Sequence, residues 1–164
     1  MALKMDLKEL VIGDLIARVP IVQGGMGVGV SLAGLAAAVA NEGGIGVIAT
    51  AGIGMDEPDL PTNFVEANNR GLRKEIRKAR EMTRGILGVN IMSALSNYAE
   101  LVKTAIEEKI DIVISGAGLQ MNLPQYLEKG CRTKLVPIVS SARAAAIIMR
   151  RWWDRFQYLP DAVI

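Results

Sequence analysis

The stretch Val19-Pro20-Ile21-Val22-Gln23-Gly24-Gly25-Met26-Gly27 places a short apolar run directly before a loop that has almost no side chains. An apolar run of this length predicts a strand buried on both faces, as in parallel sheets. Because glycine has no Cβ, the loop backbone can approach a flat ligand closely. Ligands of α/β proteins gather at the carboxyl ends of parallel strands. The stretch therefore predicts the floor of a cofactor site.

Further apolar strand candidates recur along the chain, with helical patterns between them. The predicted strands lie at residues 20–23, 45–49, 86–91, 111–115, 134–139 and 161–164. Two shorter apolar runs on either side of Gly13-Asp14 predict a hairpin ahead of them. We therefore expect residues 1–18 to form an N-terminal cap and residues 19–164 to form the main domain. The strand–helix alternation predicts a parallel sheet built from βαβ units.

The helical patterns lie at residues 31–43, 62–82, 124–129 and 141–153, with one more following Asn97. Ser31 is the predicted N-cap of the first of these helices, because a serine hydroxyl accepts from a free backbone N–H. The second helix carries many basic residues interleaved with Glu75 and Glu81. This spacing is typical of a solvated helix face and does not favour nucleic-acid binding.

The composition excludes several classes of protein and site. A chain of 164 residues with 51% hydrophobic and 22% charged residues has the composition of a globular core, and a net charge of +2 indicates no polyanionic partner. No apolar run is long enough to cross a bilayer, and the opening residues do not resemble a signal peptide. We therefore expect a cytoplasmic protein without a membrane partner.

Histidine is absent and Cys131 is the only cysteine. Without histidine the chain cannot supply a Ser-His-Asp triad, a Cys-His pair or a His-ligated metal. One cysteine cannot form an internal disulfide. The acidic residues are scattered over helices, so no metal site is predicted.

Two parallel architectures compete, a doubly wound sheet and a (β/α)₈ barrel. A dinucleotide-binding domain of the first kind needs G-x-G-x-x-G directly after its first strand, opening a helix. The glycines at 25 and 27 fail this pattern at Val30, and those at 27 and 29 fail it at Leu32. No acidic residue ends the second strand to bind a ribose. The sequence therefore favours the barrel.

The ends of the later strands are also poor in side chains. They read Gly88-Val89-Asn90-Ile91-Met92, Ser115-Gly116-Ala117-Gly118 and Pro137-Ile138-Val139-Ser140-Ser141. Several such ends facing one barrel mouth suggest a planar ring, and an isoalloxazine offers edges that backbone N–H groups and an Asn amide can satisfy. The alternative is that these glycines only serve tight turns that require positive φ.

These motifs together resemble the nitronate monooxygenases, formerly called 2-nitropropane dioxygenases, and the closely related flavin-dependent enoyl-(acyl-carrier-protein) reductases. The resemblance rests on residues 21–27, 43–48, 88–92 and 115–118 and runs from about Leu10 to Ile164. It implies a TIM barrel that binds FMN noncovalently. About five and a half βα units and the N-terminal hairpin would be present, which is an incomplete (β/α)₈ barrel.

The resemblance also implies site residues. Gln23, Gly24, Gly25 and Met26 would line the flavin ring, Asn90 would hydrogen-bond to the cofactor and Gly116 would give it room. Gln120 stands where the family has a proline. The histidine of the family, in an Ala-Gly-Gly-His segment, and its phosphate-binding loops would lie beyond Ile164, so no catalytic residue is predicted here.

The implied reaction is FMN-dependent oxidation of an alkyl nitronate by O₂ to a carbonyl compound and nitrite. The alternatives are reduction of an enoyl thioester with NAD(P)H, or an inactive fragment acting only as an assembly module. The expected partners are a small-molecule substrate and either a second copy or a complementary C-terminal fragment. An incomplete barrel is also expected to bind FMN weakly or not at all, and to leave interior residues such as Val47, Val113 and Ile138 without partners.

Overall fold

The computed structural model describes residues 7–164, so the first six residues of the predicted N-terminal cap lie outside the described residues. The elements, in chain order, are β1 (Leu10–Ile12), β2 (Leu15–Ala17), α1 (Ala33–Asn41), β3 (Ile45–Ala49), α2 (Phe64–Met82), β4 (Ile86–Met92), α3 (Tyr98–Glu107), β5 (Ile112–Gly116), a 3₁₀ turn (Leu123–Tyr126), β6 (Lys134–Pro137) and α4 (Ala142–Phe156). β1 and β2 form the predicted antiparallel hairpin.

The main sheet is parallel and its strands follow the chain in the order β3-β4-β5-β6. A doubly wound dinucleotide-binding sheet reverses its strand order at a switch point, and here no reversal occurs among the described strands. Helices α1 to α4 all contribute to one core cluster on one face of the sheet. A doubly wound sheet carries helices on both faces, so this arrangement contradicts that alternative and is the one a barrel requires.

The other face of the sheet is covered by the hairpin. Ile12 and Ala17 pack there with Ile45, Val47 and Ile114 of the sheet. Because side chains alternate along a strand, Val113 points to the helices instead. The expectation that Val113 faces the interior was therefore wrong, and Val47 is fully buried because the hairpin supplies its partners.

The predicted first and sixth strands are not formed as regular strands. Residues 20–23 lie beside β3 with a single parallel bridge, between Val22 and Ile45. Beyond this bridge the side-chain amide of Gln23, rather than a neighbouring strand backbone, pairs with β3. Its Nε2 donates to Val47 O (2.9 Å) and its Oε1 accepts from Val47 N (3.2 Å). Residues 161–164 lie beside β6 and the residues after it, and three backbone hydrogen bonds join the two segments.

The N-terminus of α1 is capped from a distance. The predicted N-cap Ser31 is wrong, because the helix begins after Leu32, which makes no side-chain cap bond. The carboxylate of Glu75 on α2 accepts instead from Ala33 N at 2.8 Å. Helix α4, in contrast, has a local cap, because the Ser141 hydroxyl accepts from Ala144 N.

Ion pairs hold the outer elements together. Asp14 in the hairpin turn pairs with Lys134 Nζ at 2.6 Å and with Arg132 at 2.8 Å, and these hydrogen bonds hold the pKa of Asp14 well below its usual value. On α2, Arg77 pairs with Glu108, so part of the basic face is neutralised by α3. None of the helices within residues 7–164 combines the length and apolar character that a membrane span requires.

Candidate active site

The glycine-rich loop between residues 24 and 32 is fixed to the carboxyl end of β3. The Ser31 hydroxyl accepts from Met26 N (3.0 Å) and donates to Gly24 O (3.3 Å), so it closes the loop on itself. Ala49 N donates to Ser31 O (3.0 Å) and Val28 N donates to Ala51 O (2.8 Å). The loop is thus a built surface above the strand end.

Gly25 brings this loop against the end of β4. A Cβ on Gly25 would lie 2.6 Å from Asn90 Cβ and 3.6 Å from Ala49 Cβ, so only glycine permits the observed approach. A Cβ on Gly24 would meet no atom within 4 Å and would project into open space. One glycine therefore serves packing, and its neighbour leaves bare backbone facing outward.

Asn90 occupies the same face of the sheet as Ala49 and Ile114, its register partners on β3 and β5. Its backbone O accepts from both the N–H and the hydroxyl of Thr50, at 3.1 and 3.0 Å. Its half-buried carboxamide makes no hydrogen bond with any other residue of 7–164. The backbone of Asn90 is therefore fixed while its amide is free to bind a ligand.

Gly116 lies one strand further along the same edge. It pairs with Met92 in register, and a Cβ on it would lie 3.1 Å from Ile138 Cδ1. We call the surface formed by Gly24, Gly25, Met26, Asn90, Met92 and Gly116 the carboxyl-edge platform. Met26 and Met92 are both exposed on it.

Five of the six residues predicted to bind the cofactor lie on the platform, and Gln23 does not. The structure puts Gly25 in contact with Asn90 and sets Gly116 on the same sheet edge, with Gly24 and Met26 in the adjoining loop. Gln23 differs, because both ends of its amide bind β3 and its role here is to hold the loop in place.

The platform consists of glycine backbone, two thioethers and one carboxamide, so it presents no group that titrates near neutral pH. Tyr98, which follows β4 along the chain, lies on the helix-covered face, where its hydroxyl bonds Ser115 Oγ at 2.9 Å. Burial raises the pKa of Tyr98 to about 12. The platform can therefore hold a flat polar-edged ring, and it offers no acid or base of its own.

The loop after β5 keeps a defined shape although Gln120 stands where the family has a proline. Gln120 is buried, its side-chain Nε2 donates to Gly118 O, and its backbone O accepts from the Trp152 indole at 2.7 Å. Ala117 and Gly118 both have positive φ, 57° and 147°. A side-chain amide and an indole thus fix the turn that a proline would have restricted.

The sequence did not predict the roles of Ser31, Thr50 and Glu75, which hold the loop and strand ends in position. Thr50 and Glu75 act through hydrogen bonds to residues 40 and 42 positions away. Ser31 bonds Gly24 and Met26 within an irregular loop, which has no regular sequence pattern.

A large cleft lies at the opposite end of the sheet. It has a volume of about 970 Å³ and is lined by residues that include Leu15, Lys103, Asp111, Tyr126 and Cys131. The platform is an open surface rather than a cavity, so size alone does not identify it. We place the candidate site on the platform because strand ends, bare backbone and a free carboxamide coincide there.

The chain is similar to known proteins in sequence and in fold. The family model for nitronate monooxygenase matches residues 8–109. FabK from Thermotoga maritima is 36% identical over 80% of this chain and 37% of its own, with a TM-score of 0.62. A nitroalkane oxidase from Streptomyces ansochromogenes shares the fold at 18% identity, with 81% of this chain and 44% of its own covered and a TM-score of 0.64.

The chain therefore spans 37% and 44% of the lengths of these two solved structures. No match was found among curated proteins. The family model covers more than half of the chain, from the N-terminal hairpin through α3, and includes every platform residue except Gly116. The chain belongs to the nitronate monooxygenase family.

Proposed function

We propose that the four-stranded sheet is part of a (β/α)₈ barrel and that the carboxyl-edge platform binds FMN. One observation carries the proposal: the bare backbone of Gly24 and Gly25 adjoins the Asn90 carboxamide, which has no other partner within residues 7–164. The isoalloxazine ring fits this surface, because its faces need contact without side chains and its edges need donors and acceptors.

The residues of the platform bind and orient rather than transfer protons. Gly24 admits the ring, Gly25 holds the loop against Asn90, and the Asn90 carboxamide satisfies one polar edge of the ring. Met26 and Met92 add apolar surface that excludes water from the reacting face. The phosphate has no place at the start of α1, because the Glu75 carboxylate already occupies that helix terminus.

The proposed reaction is oxidation of an alkyl nitronate by an FMN-dependent oxidoreductase. When bound, FMN supplies the redox chemistry between the nitronate and O₂. The family match supports an oxidoreductase of this kind. The second candidate is reduction of an enoyl thioester with NAD(P)H, which is favoured by the motifs shared with the flavin-dependent enoyl reductases.

We also propose that the chain associates with a second copy or with a complementary fragment of a barrel. Several large apolar side chains are exposed on α4 and in the segment that follows β6: Ile147, Met149, Trp153, Val163 and Ile164. Exposed apolar surface of this kind favours association. Sedimentation velocity at several protein concentrations tests this, and a single monomeric species throughout would contradict it.

Activity assays of the purified chain, with FMN added, separate the candidate functions. Absorbance near about 450 nm that stays with the protein indicates bound flavin. Nitrite release from an alkyl nitronate without NAD(P)H supports the first reaction, whereas NAD(P)H oxidation that depends on an enoyl thioester supports the second. A colourless protein that only self-associates would contradict both and support an assembly role.

A further inference from the structure

A second surface adjoins the platform and is apolar and exposed. Met26, Val28 and Val30 of the glycine-rich loop are 64%, 71% and 56% exposed, and Met55 in the loop after β3 is 43% exposed. No charged residue occurs between Val19 and Asn41 or between Ala49 and Met55. We call Met26, Val28, Val30 and Met55 the apolar rim.

The two loops of the rim are fixed to each other. Val28 N donates to Ala51 O at 2.8 Å, and a Cβ on Gly27 would lie 2.7 Å from Ala51 Cβ. Met55 Sδ lies 3.4 Å from the position that a Cβ on Gly29 would take. Val28 holds a positive φ of 54°, which is rare for a β-branched residue. The rim is therefore a packed surface whose apolar side chains face outward.

The rim is continuous with the platform. Thr50, which opens the loop that carries Met55, donates its backbone N–H to Asn90 O at 3.1 Å. Gly25, one residue before Met26, contacts Asn90 directly. A substrate that reacts above the platform can therefore extend over the rim.

The charges around the rim determine which kind of substrate chain can bind to it. An apolar chain gains about 0.8 kcal/mol for each buried methylene. A carboxylate at the chain end would lose hydration and meet a mainly acidic border. Asp56, Glu57 and Glu75 line the small cleft beside Met55, where Lys74 is the one cation among the lining residues.

We propose that the apolar rim binds the hydrocarbon chain of the substrate, so that Met55 and Val28 select uncharged alkyl chains against chains that end in a carboxylate. The proposal rests on the proposed function, because the platform must be the reaction site for the rim to select substrates.

The test uses the full chain labelled with ¹³C at the methionine methyl groups. It is titrated with 1-nitrobutane, 1-nitrohexane and 6-nitrohexanoate while NMR records the Met26 and Met55 signals. We expect saturable shifts, affinity that rises up to about fourfold for each added methylene, and much weaker binding of the carboxylate. Met55→Gln should weaken binding of 1-nitrohexane, read at Met26, at least about threefold.

Met82→Gln is the matched control, because Met82 is 48% exposed on α2 and lies outside both loops of the rim. It should leave the affinity unchanged. Equal shifts at Met82, equal binding of the carboxylate, or Met26 and Met55 signals that change only with protein concentration would overturn the proposal. The last result would assign the rim to a second copy.

The two proposals fail separately. A chain that shows the Met26 and Met55 shifts but never retains FMN supports alkyl binding at the rim and contradicts the flavin site, and with it the role of the rim in selecting substrates. A chain that retains FMN without those shifts overturns the rim alone.

Discussion

Gly25 and Asn90 lie in direct contact, although 65 residues separate them in the chain, and a Cβ on Gly25 would come within 2.6 Å of Asn90 Cβ. This contact joins the glycine-rich loop to the end of β4 and sets the position of both parts of the platform. The fold therefore depends on glycine at 25 for packing, independently of any ligand.

Gly25→Ala should lower the free energy of unfolding by about 1–3 kcal/mol, because overpacking a fixed contact forces the backbone to shift. Urea denaturation measures the change. Asn90→Gly removes the opposing Cβ, so the double variant should recover part of the loss as a positive coupling energy. Gly24→Ala is the control and should cost little, since its Cβ would meet open space. A Gly25→Ala chain as stable as the parent would contradict the packing role.

Gly24→Leu should weaken FMN binding at least about tenfold, because its side chain would stand where the flavin ring is proposed to lie. Gly34→Leu is the matched control, since a Cβ at Gly34 also meets nothing within 4 Å but projects from α1. Flavin fluorescence titration compares the two variants. Equal affinity of both would show that the ring does not rest on Gly24.

Glu75→Ala should lower the free energy of unfolding by about 1 kcal/mol, because it removes the only side-chain acceptor for Ala33 N among the described residues. Glu75→Gln keeps an acceptor oxygen and should cost less. Glu81 lies on the same helix and makes no side-chain hydrogen bond within residues 7–164, so Glu81→Ala should leave the free energy of unfolding unchanged. Equal losses for Glu75→Ala and Glu81→Ala in urea denaturation would rule out the capping role.

The ion pairs of Asp14 in the hairpin turn should make the folding stability of the chain depend on pH in the acidic range. The pKa of Asp14 is lowered in the folded chain by its hydrogen bonds with Lys134 and Arg132, so its contribution is complete above the unfolded pKa of about 3.9 and is lost as the pH falls below it. Thermal unfolding at a series of pH values should show this loss in the parent and a flatter curve in Asp14→Asn. Parallel curves for the two proteins would contradict it.

Much of the fold follows from local patterns. The runs at residues 45–49 and 86–91 were predicted as strands because they are short, apolar and bounded by turn residues, and β3 and β4 confirm them. The sequential sheet order and the one-sided helices agree with the barrel preferred over the doubly wound sheet. Alternation alone did not fix which face Val113 occupies, because a fully apolar strand gives no parity signal.

The candidate site was predicted in part. The sequence identified glycine backbone at strand ends, and the structure brings Gly25 to Asn90. It could not show that the Gln23 amide completes the pairing with β3, or that Glu75 rather than Ser31 caps α1. Both features join groups 24 or more residues apart, and such pairings are decided by tertiary packing.

The most direct test of the central claim is an NMR titration of the ¹⁵N-labelled chain with FMN up to about millimolar concentration, which detects weak binding. The account predicts saturable shifts of the Gly24, Gly25 and Gly116 amides and of the Asn90 carboxamide, with none at Gly34 or Gly130. Shifts that appear instead around Lys103 and Tyr126, in the cleft at the other end of the sheet, or no shifts at all, would contradict it.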